Sequence, residues 1–203
     1  MAERRLVGIA SGMVLALCMG SAQAALLYNE TSGDVSDDRF NPTALTLSDG
    51  VNSLFASTGA GDLEYVQLTV PAGELLEHIN LVSYSVPIAQ SFIGVQQGST
   101  FTIAPSAASS AAGMLGWTHF GTLPGQVHTD ILDDIGNGGF GATGFTPPLP
   151  AGAYTFWIQE TSGVKVSYQM DFVLGPVPEP DSWLLLAAGL AATVIGVRHR
   201  RRA

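Results

Sequence analysis

The side chains able to do chemistry in this sequence are mostly carboxylates, and they are bunched. Asp34, Asp37 and Asp38 fall in Gly33-Asp34-Val35-Ser36-Asp37-Asp38-Arg39-Phe40-Asn41-Pro42, and Asp130, Asp133 and Asp134 precede the run Gly136-Asn137-Gly138-Gly139-Phe140-Gly141. Calcium takes roughly six to eight oxygens from carboxylates, carbonyls and water, so loops of this kind can hold it without cysteine or histidine. Of the two runs the first is the better calcium candidate, with Asp34, Asp37 and Asp38 joined by Asp62 and Glu64 from a neighbouring strand. Neither run has the alternate-ligand spacing, glycine and terminal glutamate of an EF-hand, and solvated loop acids are the simpler account of that spacing.

Histidines and tryptophans offer two other chemistries. His78, His119 and His128 could each act as a base beside a carboxylate and a serine, which leaves open a sandwich-fold hydrolase using His119 or His128. No Gly-x-Ser-x-Gly elbow, His-Glu-x-x-His pair, Walker loop or dinucleotide fingerprint accompanies them, and the reading favoured is a non-catalytic protein. Trp117 and Trp157 are sugar-binding candidates, because an exposed indole face stacks on the apolar face of a sugar ring; burial in a sandwich core is the commoner fate of tryptophan.

The elements that must position these residues are strands. In Val164-Lys165-Val166-Ser167-Tyr168-Gln169-Met170-Asp171-Phe172-Val173-Leu174 the apolar residues recur at every second position. That is the period of a strand buried on one face. Ala153 to Glu160 predicts a second strand, with Tyr154, Phe156 and Ile158 on one face and Thr155, Trp157 and Gln159 on the other, and Thr161-Ser162-Gly163 reads as a hairpin turn between the two. Leu63 to Val70 alternates and ends at the turn Pro71-Ala72-Gly73. Weaker strands are expected near Ala44–Leu47, Ile79–Tyr84, Phe92–Val95, Thr100–Ile103 and Leu115–Phe120. The small-residue segments between Pro105 and Phe145 suit long surface loops. The fold class this implies is all-β, an antiparallel, jelly-roll-like β-sandwich over residues 25–174.

Charge is concentrated. From Ala25 to Pro176 only Arg39 and Lys165 are basic, against fourteen carboxylates, which leaves a charge of −12 for that span, more acidic than the −9 of the whole chain. Such a surface repels phosphate backbones and excludes nucleic acid as a partner; cations or neutral polysaccharide suit it better.

Both ends of the chain carry targeting patterns. Met1 to Arg5 is charged, Leu6 to Met19 is mostly apolar, and Ala22-Gln23-Ala24 supplies the small residues signal peptidase requires, so residues 1–24 read as a signal peptide cleaved after Ala24. The apolar run is shorter than the roughly 20 residues of a spanning helix. Cys18, the only cysteine, lies inside it and leaves the mature domain without thiols; lipoprotein processing at Cys18 is the alternative use. At the other end, residues 175–181 form a proline-rich linker and residues 182–203 hold a short apolar helix, Trp183 to Val197, followed by Arg198, Arg200, Arg201 and Arg202. At ~1.5 Å per residue that helix is a minimal membrane span, and the arginines hold its end on the cytoplasmic side.

Val177-Pro178-Glu179-Pro180, the apolar helix and the terminal arginines together resemble the PEP-CTERM protein-sorting domain. The resemblance implies a Gram-negative host, an exosortase-type membrane protease as partner beside signal peptidase, a transient membrane anchor, and delivery to the cell surface or to an extracellular biofilm matrix of exopolysaccharide. Over the domain itself, Asp62-Leu63-Glu64-Tyr65-Val66-Gln67-Leu68, Pro71-Ala72-Gly73 and Pro150-Ala151-Gly152-Ala153-Tyr154-Thr155-Phe156-Trp157-Ile158 leading to Tyr168 are similar to the pre-peptidase C-terminal type of β-sandwich, which implies an accessory or binding module.

Overall fold

The computed structural model describes residues 24–105, 110–122 and 125–178. The expected signal peptide up to Gln23, the end of the linker from Glu179, and the apolar helix with its arginines lie outside these residues. Among the described residues no helix is long and apolar enough to cross a membrane.

Among the described residues there are ten strands, most of them alternating inward apolar and outward polar residues: β1 (Ala25–Asn29), β2 (Thr43–Thr46), β3 (Gly50–Thr58), β4 (Leu63–Val70), β5 (Glu74–Tyr84), β6 (Ser91–Gln97), β7 (Gly116–Phe120), β8 (Thr129–Asp130), β9 (Gly152–Glu160) and β10 (Val166–Pro176), with one short α-helix, α1 (Leu132–Gly136). They form two five-stranded sheets, ordered β1-β3-β10-β5-β8 and β2-β4-β9-β6-β7. The sheets stack as a sandwich, so the expected all-β architecture stands. It departs from an eight-stranded antiparallel jelly roll in strand number and direction. The edge pairs β1–β3 and β2–β4 run parallel, whereas β10 and β9 pair antiparallel with the neighbours on both sides.

The supposed hairpin between the last two strands is an arch. β9 is the middle strand of one sheet and β10 the middle strand of the other, so Thr161-Ser162-Gly163 carries the chain across the sandwich. The Glu160 carboxylate shapes the crossing: it accepts from the backbone N–H groups of Ser162, Gly163 and Val164, and Gly163 adopts φ +81°, which a Cβ disfavours. The two strands meet face to face through inner rows that are largely apolar, Tyr154, Phe156 and Ile158 on β9 and Val166, Tyr168, Met170, Phe172 and Leu174 on β10. Phe156 and Phe172 touch edge to face with centroids 5.8 Å apart. Val164, expected on the apolar face of the last strand, precedes it and is exposed.

Thr100–Ile103 is not a strand. The Gln96 side chain accepts from Thr102 N at 2.7 Å and Phe101 N donates to Arg39 O at 2.8 Å, so this segment folds over the sheet instead of joining its ladder. The strand β3, conversely, has no clean apolar alternation because two of its inward residues, Asn52 and Thr58, are polar. Asn52 is tolerated there because its amide donates to the backbone carbonyls of Ser48, Gly50 and Phe172 and its oxygen accepts from Ser48 N.

The main core fills the space between the sheets, with Leu54, Val66, Leu68, Leu76, Ile79, Ile93, Phe120, Phe156, Met170 and Phe172 among its members. With no cysteine after Cys18, this burial is what offsets the chain's conformational entropy. Replacing Phe172, fully buried between the two middle strands, by alanine is expected to cost about 3–5 kcal/mol in urea unfolding. Phe55→Ala, on the partly exposed outer face of β3, should cost well under half of that.

Candidate functional site

The outer face of the β9 sheet carries a second, aromatic layer. Strand register places Tyr65, Trp157, Gly94 and Trp117 in one cross-strand row, and Leu63, Gln159, Phe92 and His119 in the next. Cross-strand partners share a face, so all of these side chains project away from the main core. The absent side chain at Gly94 is what lets the layer close: Phe92 leans into the gap, so that a Cβ at position 94 would lie 2.9 Å from the Phe92 Cζ. Phe92 thereby contacts both tryptophans, at 4.8 Å from Trp157 and 5.9 Å from Trp117 between centroids.

Trp157 points away from the inner face as its alternation predicts, yet it is only 2% exposed. Phe101, Ala111 and Met114, from the long connection between β6 and β7, pack with it and Tyr65. No local pattern announces this cover. Trp117 is half-buried, its Nε1 donates to Gly139 O at 3.1 Å, and Phe140, 72% exposed, stands edge-on to it at 6.3 Å. Between them lies a pocket of about 320 Å³ lined by Phe92, Met114, Trp117, His119, Phe140, Trp157 and Gln159 among others. The two tryptophan candidates are therefore brought together, one as a wall and one as a partly open face. Phe92, Phe140 and Gln159 were not legible as partners, because strand register sets Phe92 and Gln159 beside Trp117 and a distant connection brings Phe140 there.

The histidines are dispersed. His119 lies edge-on to Phe92 and Trp117, and burial pushes its pKa down, favouring the neutral ring. His128 sits at φ +72° in the turn before β8, its backbone N–H donating to Leu81 O. Among the described residues the one histidine with a carboxylate partner is His78, whose Nδ1 lies 2.7 Å from Asp130 Oδ2. Asp130 Oδ1 is occupied by the N–H groups of Ile79 and Leu132, so this acid fastens β8 and the start of α1 to β5.

The calcium candidates do not form one ligand set: the charges of Asp34 and Asp37 reach Asp62, whereas Asp38 and Glu64 are engaged elsewhere. Asp38 Oδ1 accepts from Phe40 N at 2.9 Å and so builds its own turn. Asp34 lines an open cleft of about 750 Å³ with Glu30, Ser57 and Lys165. Glu64 faces the opposite way, into the sandwich with Val66 and Leu68, where Tyr168 donates to its Oε2 and its Oε1 has no partner. Among the described residues no group of three or more His, Cys, Asp or Glu side chains is placed to hold a metal ion.

Burial pushes the Glu64 pKa up to about 9; the bond from Tyr168 opposes this, and the charges of Glu30, Asp62 and Asp34 reinforce it. Asp62 is raised as well, first by burial and then by Asp34 and Asp37. Glu64 is thus protonated in the folded chain at neutral pH, whereas in the unfolded chain it titrates near 4.5. Folded protein then binds the extra proton between these values, so stability is greatest at the acid end and falls as pH rises towards 9, by at most about 1.4 kcal/mol per pH unit for this group. Glu64→Gln, which keeps an uncharged acceptor for Tyr168, is expected to raise the melting temperature at pH 8 and to flatten its decline between pH 5 and 9, followed by calorimetry across that range.

The chain leaves the sandwich at the end of β10, where Val177 N donates to Gly73 O at 2.9 Å. Val177 and Pro178 are the described part of the Val177-Pro178-Glu179-Pro180 segment, and Val177 is exposed. No curated protein and no solved structure gives a significant match to the chain. Residues 176–202 match the PEP-CTERM protein-sorting motif, which implies export and processing by an exosortase, a membrane protease.

Proposed function

We propose that this chain is a non-catalytic β-sandwich which its C-terminal segment delivers to the cell surface or the extracellular matrix of a Gram-negative bacterium. The observation that carries the reading is the position of the sorting match. It begins at residue 176, the last residue of β10, so processing near Pro178-Glu179-Pro180 would remove no part of either sheet. The domain is built to persist after release: its core is continuous between the sheets, and it depends on no disulfide. The acidic balance of the domain, formally −12, favours solubility and discourages adsorption to nucleic acid and to anionic lipid. In this reading signal peptidase acts after Ala24, and the apolar segment with Arg198, Arg200, Arg201 and Arg202 anchors the chain until the exosortase acts.

The intact mass of the chain recovered outside the cell tests this. The expected protein begins at Ala25 and ends close to Pro178-Glu179-Pro180. Deleting the exosortase should leave it membrane-bound with the arginines attached. Extracellular protein that retains Arg198 to Arg202 would refute the processing step.

A further inference from the structure

The aromatic layer has features that packing alone does not explain. An outer sheet face needs no aromatic chain running across four strands, yet Tyr65, Trp157, Phe92 and Trp117 contact one another in sequence, and Phe140 extends the series into solvent. The layer also buries two polar atoms with no hydrogen-bond partner, Trp157 Nε1 and Tyr65 Oη. Buried groups of this kind are costly unless something satisfies them. Around the half-buried Trp117 face, the pocket wall includes the Gln159 amide and the His119 ring, and neither side chain has a hydrogen-bond partner among the described residues.

Charge narrows the ligand. Among the described residues no carboxylate, lysine or arginine lines the pocket, and the surrounding domain, at a formal −12, repels anions. Burial pushes the His119 pKa down, which disfavours the cation that a uronate or a phosphate would need. An acyl chain would match the aromatic walls but would leave the polar row of Gln159 and His119 unused. A ring with C–H faces and equatorial hydroxyls uses both: the faces stack on indole and phenyl, and the hydroxyls give and take hydrogen bonds at the edge. At about 320 Å³ the space lies at the small end of ligand pockets, which suits one or two sugar residues of a longer strand crossing the face.

We propose that the pocket between Trp117, Phe92, Phe140, His119 and Gln159 binds a neutral sugar residue of a polysaccharide. Trp117 and Phe140 supply the stacking faces, and Gln159 and His119 bind hydroxyls. The site is independent of the sorting segment, so it stands or falls separately from the delivery reading.

Calorimetric titration of the full chain in nanodiscs with hexasaccharides of cellulose, laminarin, mannan, xylan and chitin tests it, with an alginate hexasaccharide as the anionic comparison. At least one neutral hexasaccharide should bind, and more tightly than alginate. Phe140→Ala and Trp117→Ala should each weaken that binding by about tenfold, with Gln159→Ala lowering it further in combination. Phe140 is exposed enough for its variant to keep the wild-type melting temperature, so the result can be read even where Trp117→Ala loses stability. Failure of all five neutral probes to bind at millimolar concentration would overturn the proposal. So would tighter binding of alginate, or equal affinity in the Phe140→Ala protein.

Discussion

The inner faces of β9 and β10 meet through Phe156 and Phe172, and the position of nearly every other strand follows from this contact. β9 is the middle strand of one sheet and β10 of the other, so β4 and β6 pair onto the first while β3 and β5 pair onto the second. The two strands are consecutive in the chain and joined by the arch that Glu160 organises. Both sheets therefore lack their centre until residues 152–176 are in place, and the contacts that complete them span most of the domain. Long-range pairing of this kind pays loop-closure entropy before it gains burial. The sorting match starts where this last structural element stops.

A sandwich made in this way has two kinds of surface to dispose of. The inner faces are satisfied by one another. The outer face of the β9 sheet is not left polar, because the long connection between β6 and β7 brings Phe101, Ala111 and Met114 over Tyr65 and Trp157. Cover stops short of Trp117 and Phe140. The aromatic layer is thus a second core at one end and an open stacking surface at the other, and the change occurs at Phe92 above the gap left by Gly94.

The excess of carboxylates is handled by separation and protonation. Asp38 and Asp130 are consumed in turns and in fastening strands, Glu160 in the arch, and Glu30 in holding the Ser57 N–H and hydroxyl. Glu64, turned inward by strict alternation along β4, is kept uncharged with Tyr168 as its partner. A buried carboxylate without a cation costs far more than a protonated carboxyl with one hydrogen bond, so the pair settles in the neutral form.

The sequence by itself determined what depends on near neighbours along the chain. Side-chain direction alternates residue by residue, so the spans of β4, β9 and β10, the inward row from Val166 to Leu174 and the outward turn of Trp157 could all be read from it. The Pro-Glu-Pro segment, the apolar stretch and the terminal arginines are likewise contiguous, and the match at residues 176–202 agrees with them. Only the tertiary structure decided which strands are neighbours, because pairing and stacking use the same apolar faces and turns. A Thr161-Ser162-Gly163 hairpin and an arch look alike until the partners of β9 and β10 are known. It also decided every case in which a polar residue is buried by a distant partner. Asn52 is tolerated inside because Phe172 offers it a carbonyl, Glu64 is tolerated there because Tyr168 lies across the sandwich, and Trp157 is buried because Phe101 and Met114 cover it. Burial is set by what the rest of the chain places opposite a residue, and that information is not local.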